Sequence, residues 1–243
     1  MKIRLDKLLL VRNLAESRQK SQALIAAGLV FVNGQRADKV GTQFPDTCNI
    51  EIKGKKCPYV SRGGLKLAGA LDHFQIDPTG FVCADIGAST GGFTDCLLQR
   101  GAVRVFAVDV GYGQLDWKLR QDDRVVVMER TNARHLAPGD IPETIDLAVI
   151  DASFISLELL LKPVLIFLKP GGKLIALIKP QFEVGKGLVG KGGVVKDPDL
   201  HQATIDKIGE FGTALGLENH GAVPSSILGP KGNQEFLIYF TRP

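Results

Sequence analysis

The sequence has little cysteine, and its cysteines are poorly spaced for binding or bridging. The four, Cys48, Cys57, Cys83 and Cys96, include no Cys-x-x-Cys pair, and Cys83 and Cys96 fall in apolar segments. This argues against a zinc site or a disulfide framework and fits a reducing compartment, so no metal is expected. Long hydrophobic runs are also missing. Stretches such as Val164 to Leu168 and Leu174 to Ile178 fall far short of the ~20 residues of a membrane-spanning helix. Met1-Lys2-Ile3-Arg4 does not read as the start of a signal peptide. The expectation is a cytoplasmic chain with no membrane partner. The dinucleotide fingerprint Gly-x-Gly-x-x-Gly is absent as well, because Gly87 is followed at position 89 by serine.

What stands in its place organises the chain. Phe81 to Ile86 is a short apolar run suited to a buried parallel strand, Gly87 to Gly92 is a glycine-rich turn, and Phe93 onward reads as a helix. Strand, turn and helix together bring backbone N–H groups to a helix N-terminus, where a nucleotide-like ligand can approach closely. The pattern Asp85-x-Gly87-x-x-x-Gly91-Gly92 suits S-adenosylmethionine better than a pyrophosphate, since Asp85 can face a cation. Asp85, Gly87, Ala88, Ser89, Thr90, Gly91 and Gly92 are therefore the expected cofactor-binding turn.

Charge is uneven along the chain. Residues 1–60 hold 11 Lys and Arg against 5 Asp and Glu, whereas the rest holds 19 against 21. A basic front on a near-neutral body points to a polyanion met by the front. Leu5, Leu8 and Leu9 share one side of a helix spanning 4–12. Ser17 caps a second helix, 18–27, with Ala23, Leu24 and Ala27 inward, closed by Gly28. Strands are expected at 29–32, at Val40 and at 50–52, with Asn33-Gly34 as a hairpin turn. Residues 53–58 read as a linker.

The body alternates strands and helices. After the 81–98 unit come strands at 103–109, 125–128, 145–151 and 173–178. Helices are expected at 61–74, 155–168 and 199–215, and two last strands at 219–224 and 235–240. Ser61 is the expected cap of the first of these helices. This is a doubly wound parallel sheet, whose ligands gather at the strand C-termini. Asp85, Asp109, Asp151 and Lys179 all fall at such ends. Asp109 is placed to hold ribose hydroxyls, and Asn132, after the 125–128 strand, to read adenine. Gly185 to Lys191 matches the start of a P-loop, but Gly192 replaces the Ser or Thr that holds magnesium.

Taken together, Arg4-Leu5-Asp6-Lys7-Leu8-Leu9, Gly28 to Gly34, Ser61-Arg62-Gly63-Gly64-x-Lys66-Leu67, the 85–95 block, Val108 to Leu115, Asp151 to Leu157, Lys179 to Glu183 and Gln234-Glu235-Phe236 resemble the TlyA (haemolysin A) family of ribosomal RNA 2′-O-methyltransferases. The resemblance implies an S4-like α+β RNA-binding domain at 1–57. It also implies an FtsJ-like, Rossmann-like class I methyltransferase domain at 58–243, with a seven-stranded, mostly parallel α/β sheet. It implies S-adenosylmethionine as cofactor and ribosomal RNA or ribosomal subunits as partner. The catalytic tetrad carries over as Lys66, Asp151, Lys179 and Glu235, with Asp151 also beside the cofactor and Lys179 at the ribose hydroxyl. Arg4, Lys7, Arg12, Arg18 and Lys20 are the expected RNA contacts. Competing readings are an RNA-binding or ribosome-assembly factor with a vestigial site, an NAD-dependent oxidoreductase suggested by Gly87 and Asp109, and a membrane-active haemolysin suggested only by the family's other name.

Overall fold

The computed structural model describes residues 2–26, 28–53, 57–190 and 192–243. Ala27, the Gly54–Lys56 part of the expected linker and Lys191 lie outside the described residues. The chain divides into two compact units, Met1–Lys56 and Cys57–Pro243.

In the front unit, strand β1 (Lys2–Arg4) leads directly into helix α1 (Leu5–Val11), followed by α2 (Arg18–Ala26), β2 (Val30–Val32), β3 (Gln35–Arg36), β4 (Gln43–Pro45) and β5 (Ile50–Ile52). Spacing at i, i+3 and i+4 puts Leu5, Leu8 and Leu9 on one buried face of α1. Arg4 is extended, with ψ 140°, so the helix starts one residue later than expected and Arg4 belongs to β1. That strand pairs antiparallel with β4; two three-residue strands carry too short a pattern to read in advance. No strand forms at Val40. Ser17 caps α2 as expected, its Oγ accepting from the Lys20 N–H. The inner face of α2 differs, however: Ser21 and Ile25 are buried and Ala23 is exposed. Ser21 tolerates burial because its hydroxyl donates to the Ser17 carbonyl. Asn33 and Gly34 both take positive φ, 49° and 81°, and close the β2–β3 hairpin.

The body opens with α3 (Gly63–His73), β6 (Val82–Ile86), α4 (Gly92–Gln99), β7 (Arg104–Val108), α5 (Trp117–Arg120), β8 (Val125–Met128) and β9 (Ile145–Ile150). It continues with α6 (Glu158–Leu165), β10 (Leu168–Ile178), α7 (Pro180–Glu183), α8 (Pro198–Ala214), β11 (Glu218–Pro224) and β12 (Phe236–Thr241). Seven strands form one sheet in the order β11-β12-β10-β9-β6-β7-β8. β6 to β10 run parallel, and β12 runs antiparallel to both β10 and β11. Alternate residues of the central strands enter two cores. Ala84, Ile86, Phe106 and Ile150 face one side, and Cys83, Val105, Val149 and Leu177 the other. Burial on both faces explains why these strands are continuous apolar runs.

The chain leaves β6 toward β7 and β8, then returns to the other side of β6 as β9. Strand order therefore reverses between β6 and β9, where a crevice opens at the strand C-termini. Two boundaries differ from expectation for reasons tied to this edge. Helix α6 is shorter than 155–168: it begins only at Glu158, and at the other end Leu168 already pairs with Ile145. Ser61 does not cap α3, which starts after Arg62 without a side-chain cap. After Gly185 a short 3₁₀ turn spans Lys186–Leu188, and no helix begins among the described residues before α8, so no P-loop helix follows.

Gly87 is the tightest point of the crevice. It has φ +84°, and a Cβ there would lie 2.8 Å from the Asp151 carbonyl oxygen. Left-handed backbone costs a residue with a Cβ about 1–2 kcal/mol, and the contact adds overpacking of a similar size. Gly87→Ala is therefore expected to lower stability by about 2–4 kcal/mol, or the thermal midpoint by roughly 5–12 °C. Calorimetry checks this; an unchanged midpoint would contradict the close approach.

Candidate active site

Three glycine contacts bring α3 onto the crevice. A Cβ on Gly64 would run into the Tyr59 ring, and a Cβ on Gly92 into the Ser61 hydroxyl and, at 2.9 Å, the Gly64 amide nitrogen. The start of α3 thus lies backbone against backbone on the start of α4, and Lys66, one turn along, reaches the cavity. The expectation from a lone helix lysine is a surface position, yet Lys66 is only 8% exposed. Its Nζ donates to Glu235 Oε2 at 2.5 Å, a contact spanning 169 residues of sequence. Glu235 precedes β12 and is fully buried.

A second pair stands at the tip of β10. Pro180 opens α7 and holds Lys179 in extended backbone. Its Nζ lies 2.6 Å from Asp151 Oδ1 and donates to Ser153 Oγ at 2.8 Å. Asp151 follows β9, with its N–H donating to the Ile86 carbonyl, so the β6–β9 ladder fixes its backbone. Removing a charge from water costs several kcal/mol, which a partner must offset. Here each lysine has a carboxylate, and all four residues line one cavity of about 690 Å³.

Asp85 forms part of the same wall. One carboxylate oxygen accepts from the Thr94 N–H and hydroxyl, at 2.9 and 2.6 Å. The other is buried without a partner. Burial pushes this carboxyl up to about 7, with the Thr94 hydrogen bonds opposing and the Asp151 charge reinforcing the shift. The free oxygen needs a donor or cation from a ligand. Gly87, Ser89, Thr90 and Gly92 line the cavity beside it. With an unpartnered carboxylate oxygen in the wall of a cavity of this size, the site fits a cationic, nucleoside-sized ligand.

Four of the expected cofactor residues do not line this cavity: Ala88, Gly91, Asp109 and Asn132. The Asp109 carboxylate accepts from the Ser89 and Gly111 N–H groups, which ties the glycine turn to β7. The Asn132 side chain caps a short turn by accepting from the Arg134 N–H.

Several cavity residues were not singled out from sequence. Phe154 is 90% exposed, has a strained positive φ and rests on Phe182 with ring centroids 5.0 Å apart. Ser153, Gln181, Arg62 and Lys231 also line the cavity, and Gln181 Oε1 is buried without a partner. Glu183 ties the 152–157 loop to α7, accepting from the Ser156 hydroxyl at 2.6 Å and the Leu157 N–H at 2.8 Å. Ser153, Phe154, Gln181 and Glu183 adjoin expected site residues in sequence, which is the one signal that could have marked them.

In the front unit the expected RNA-contact residues have different surroundings. Lys7 is exposed. Arg4 and Arg18 both bind the buried Asp6 carboxylate. Arg12 donates to the Cys48 and Asp46 carbonyls, and Lys20 pairs with Glu16.

The FtsJ-like methyltransferase family matches residues 59–242 and the S4 domain family matches residues 3–45. A provisionally named rRNA methyltransferase, YqxC of Bacillus subtilis, is 49% identical over 243 residues, covering 100% of this chain and 86% of that protein. The 16S/23S rRNA (cytidine-2′-O)-methyltransferase TlyA of Mycobacterium tuberculosis is 47% identical over 237 residues, covering 97% of this chain and 88% of its own. A solved structure from Streptococcus thermophilus, provisionally described as a hemolysin, superposes with TM-score 0.80 at 44% identity, covering 99% of this chain and 88% of its own. The chain belongs to the TlyA family, in which an S4 domain precedes an FtsJ-like methyltransferase domain.

Proposed function

We propose that this chain methylates a ribose 2′-hydroxyl of ribosomal RNA, with cytidine as target nucleoside and S-adenosylmethionine as methyl donor. The observation that carries the reading is the Lys179–Asp151 pair, standing at the β6–β9 crevice in one cavity with Lys66 and Glu235. S-adenosylmethionine supplies an activated methyl group on a sulfonium. Asp85, Gly87, Ser89, Thr90 and Gly92 hold it along the cavity wall, with Ala88 and Gly91 shaping the turn. Asp109 keeps lone pairs for ribose hydroxyls beyond the two N–H groups it accepts, and Asn132 keeps its amide donors for adenine.

The remaining steps fall to the chain's own side chains. Lys179 holds the 2′-hydroxyl and stabilises the charge that builds on its oxygen as the new O–C bond replaces the S–C bond, the hydroxyl proton passing to solvent and the thioether leaving as S-adenosylhomocysteine. Asp151 and Ser153 fix the lysine from two sides, which confines it to one geometry. Lys66 and Glu235 form a second charged pair in the same cavity. Phe154, exposed at the mouth and backed by Phe182, offers a ring face to the base of the target nucleotide. The front unit supplies affinity, with Lys7, Arg4 and Arg18 toward the RNA backbone and Arg12 and Lys20 more engaged within the fold. The domain division follows as RNA binding in 1–57 and chemistry in 58–243. A ribosomal substrate fits a cytoplasmic location. Among the described residues no helix is long and apolar enough to cross a membrane.

The test is transfer of labelled methyl from S-adenosylmethionine to rRNA and to intact ribosomal subunits. Label is expected at 2′-O positions, and Lys179→Ala should reduce the rate by about 10²–10⁴-fold. Full turnover in that variant would remove Lys179 from the chemistry. Deleting residues 1–55 should leave cofactor binding nearly intact and strongly weaken RNA methylation; equal loss of both would contradict the division of labour. A proton on Asp85 competes with a bound cation. S-adenosylmethionine affinity is therefore expected to be about half its plateau near pH 7, to level off above it and to fall below it, approaching tenfold per pH unit. Asp85→Asn should bind more weakly with a flat profile. Calorimetric titration from pH 5.5 to 8.5 measures this; a flat wild-type profile would contradict it.

A further inference from the structure

The front unit buries one carboxylate completely. Asp6 is 0% exposed and lies in the first turn of α1. Two arginines from different elements converge on it. Arg4, ending β1, donates from Nε to Oδ1 at 3.0 Å and from Nη2 to Oδ2 at 3.2 Å. Arg18, opening α2, donates from Nε to Oδ2 at 2.8 Å, and Gln22 also faces the carboxylate. The Arg4 side chain remains 42% exposed and that of Arg18 52%. Each guanidinium has five N–H donors in a planar fork, so most of them stay directed away from Asp6. The arginines hold the Asp6 carboxyl far below the usual carboxylate range, and it stays ionised.

A purely stabilising ion pair does not need two cations on one acid, both half in water. One cation offsets the desolvation of a buried acid, and a second one sharing it leaves one unit of positive charge on the surface. We infer that Asp6 is a positioning residue that holds the Arg4 and Arg18 guanidinium groups as one preorganised clamp for an RNA phosphodiester. The inference rests on the RNA-binding reading of the front unit and goes beyond it by assigning a role to an acid. The arginines supply the contacts. Asp6 fixes their separation and planes before RNA arrives, which lowers the entropy lost on binding. Arginine forks suit the bidentate geometry that phosphate oxygens offer.

The role makes a prediction of opposite sign to simple charge counting. Asp6→Asn removes a negative charge, so electrostatics alone would tighten RNA binding and steepen its salt dependence. If Asp6 positions the clamp, the variant binds more weakly, by about 10- to 100-fold. Its plot of log affinity against log salt should also flatten by about 1, the loss of roughly one phosphate contact. The experiment is filter binding of the full chain to labelled 16S and 23S rRNA across a salt series. The variants are Asp6→Asn, Arg4→Gln with Arg18→Gln, and all three substitutions together. Weaker, shallower binding by Asp6→Asn that is not additive with the arginine substitutions supports the clamp. Unchanged or tighter binding overturns it. So does an Asp6→Asn loss that persists in full in the Arg4→Gln/Arg18→Gln background, because the acid would then act through the fold. A wild-type chain that binds neither RNA overturns the RNA-binding reading itself, and the inference with it.

Discussion

Lys66 and Lys179 each lie less than a tenth exposed in the same cavity, and the body is arranged around meeting the cost of keeping them there. Desolvating a lysine costs several kcal/mol unless a carboxylate is placed with good geometry. Glu235 answers Lys66 and Asp151 answers Lys179. Replacing such pairs by apolar residues is commonly neutral or stabilising, so stability alone does not explain two of them side by side. Their retention in a cavity open to a ligand is what a site for polar chemistry requires.

This constraint reaches into distant parts of the chain. Gly92 lets the start of α3 lie directly on the start of α4, from which Lys66 reaches Glu235, which the antiparallel β12 brings back beside β10. The reversal of strand order between β6 and β9 sets Asp85 and Asp151 on either side of one crevice. Gly87 allows the Asp151 backbone to come within the radius of a missing side chain. Glu183, whose carboxyl is pushed up by burial, buttons the Ser156–Leu157 segment to α7. Lys179, Ser153 and Phe154 therefore belong to one held unit.

Much of this was legible in the sequence because parallel strands buried on both faces leave an unambiguous apolar run with a polar residue at its end. Asp85, Asp151 and Lys179 were readable from that alone. Lys66 and Glu235 were not. Nothing within a helical turn of Lys66 marks it as buried, its partner is 169 residues away, and only family resemblance pointed to the pair. The β1–β4 pairing was invisible because three residues carry no measurable alternation. The exposed Phe154 depends on a positive φ that no local pattern encodes for a phenylalanine. Asp6 lay within the family pattern, but its burial between two arginines is a tertiary fact.

We propose that the Lys66–Glu235 pair is kept for chemistry rather than for stability. The most direct test replaces it with an apolar pair, Lys66→Met with Glu235→Met, and follows folding, cofactor affinity and methyl transfer together. The double variant is predicted to keep its unfolding free energy within about 2 kcal/mol of the parent, and to bind S-adenosylmethionine, while methyl transfer to rRNA is lost. A folded double variant that methylates rRNA at the parent rate would contradict the account and reduce the pair to a packing device.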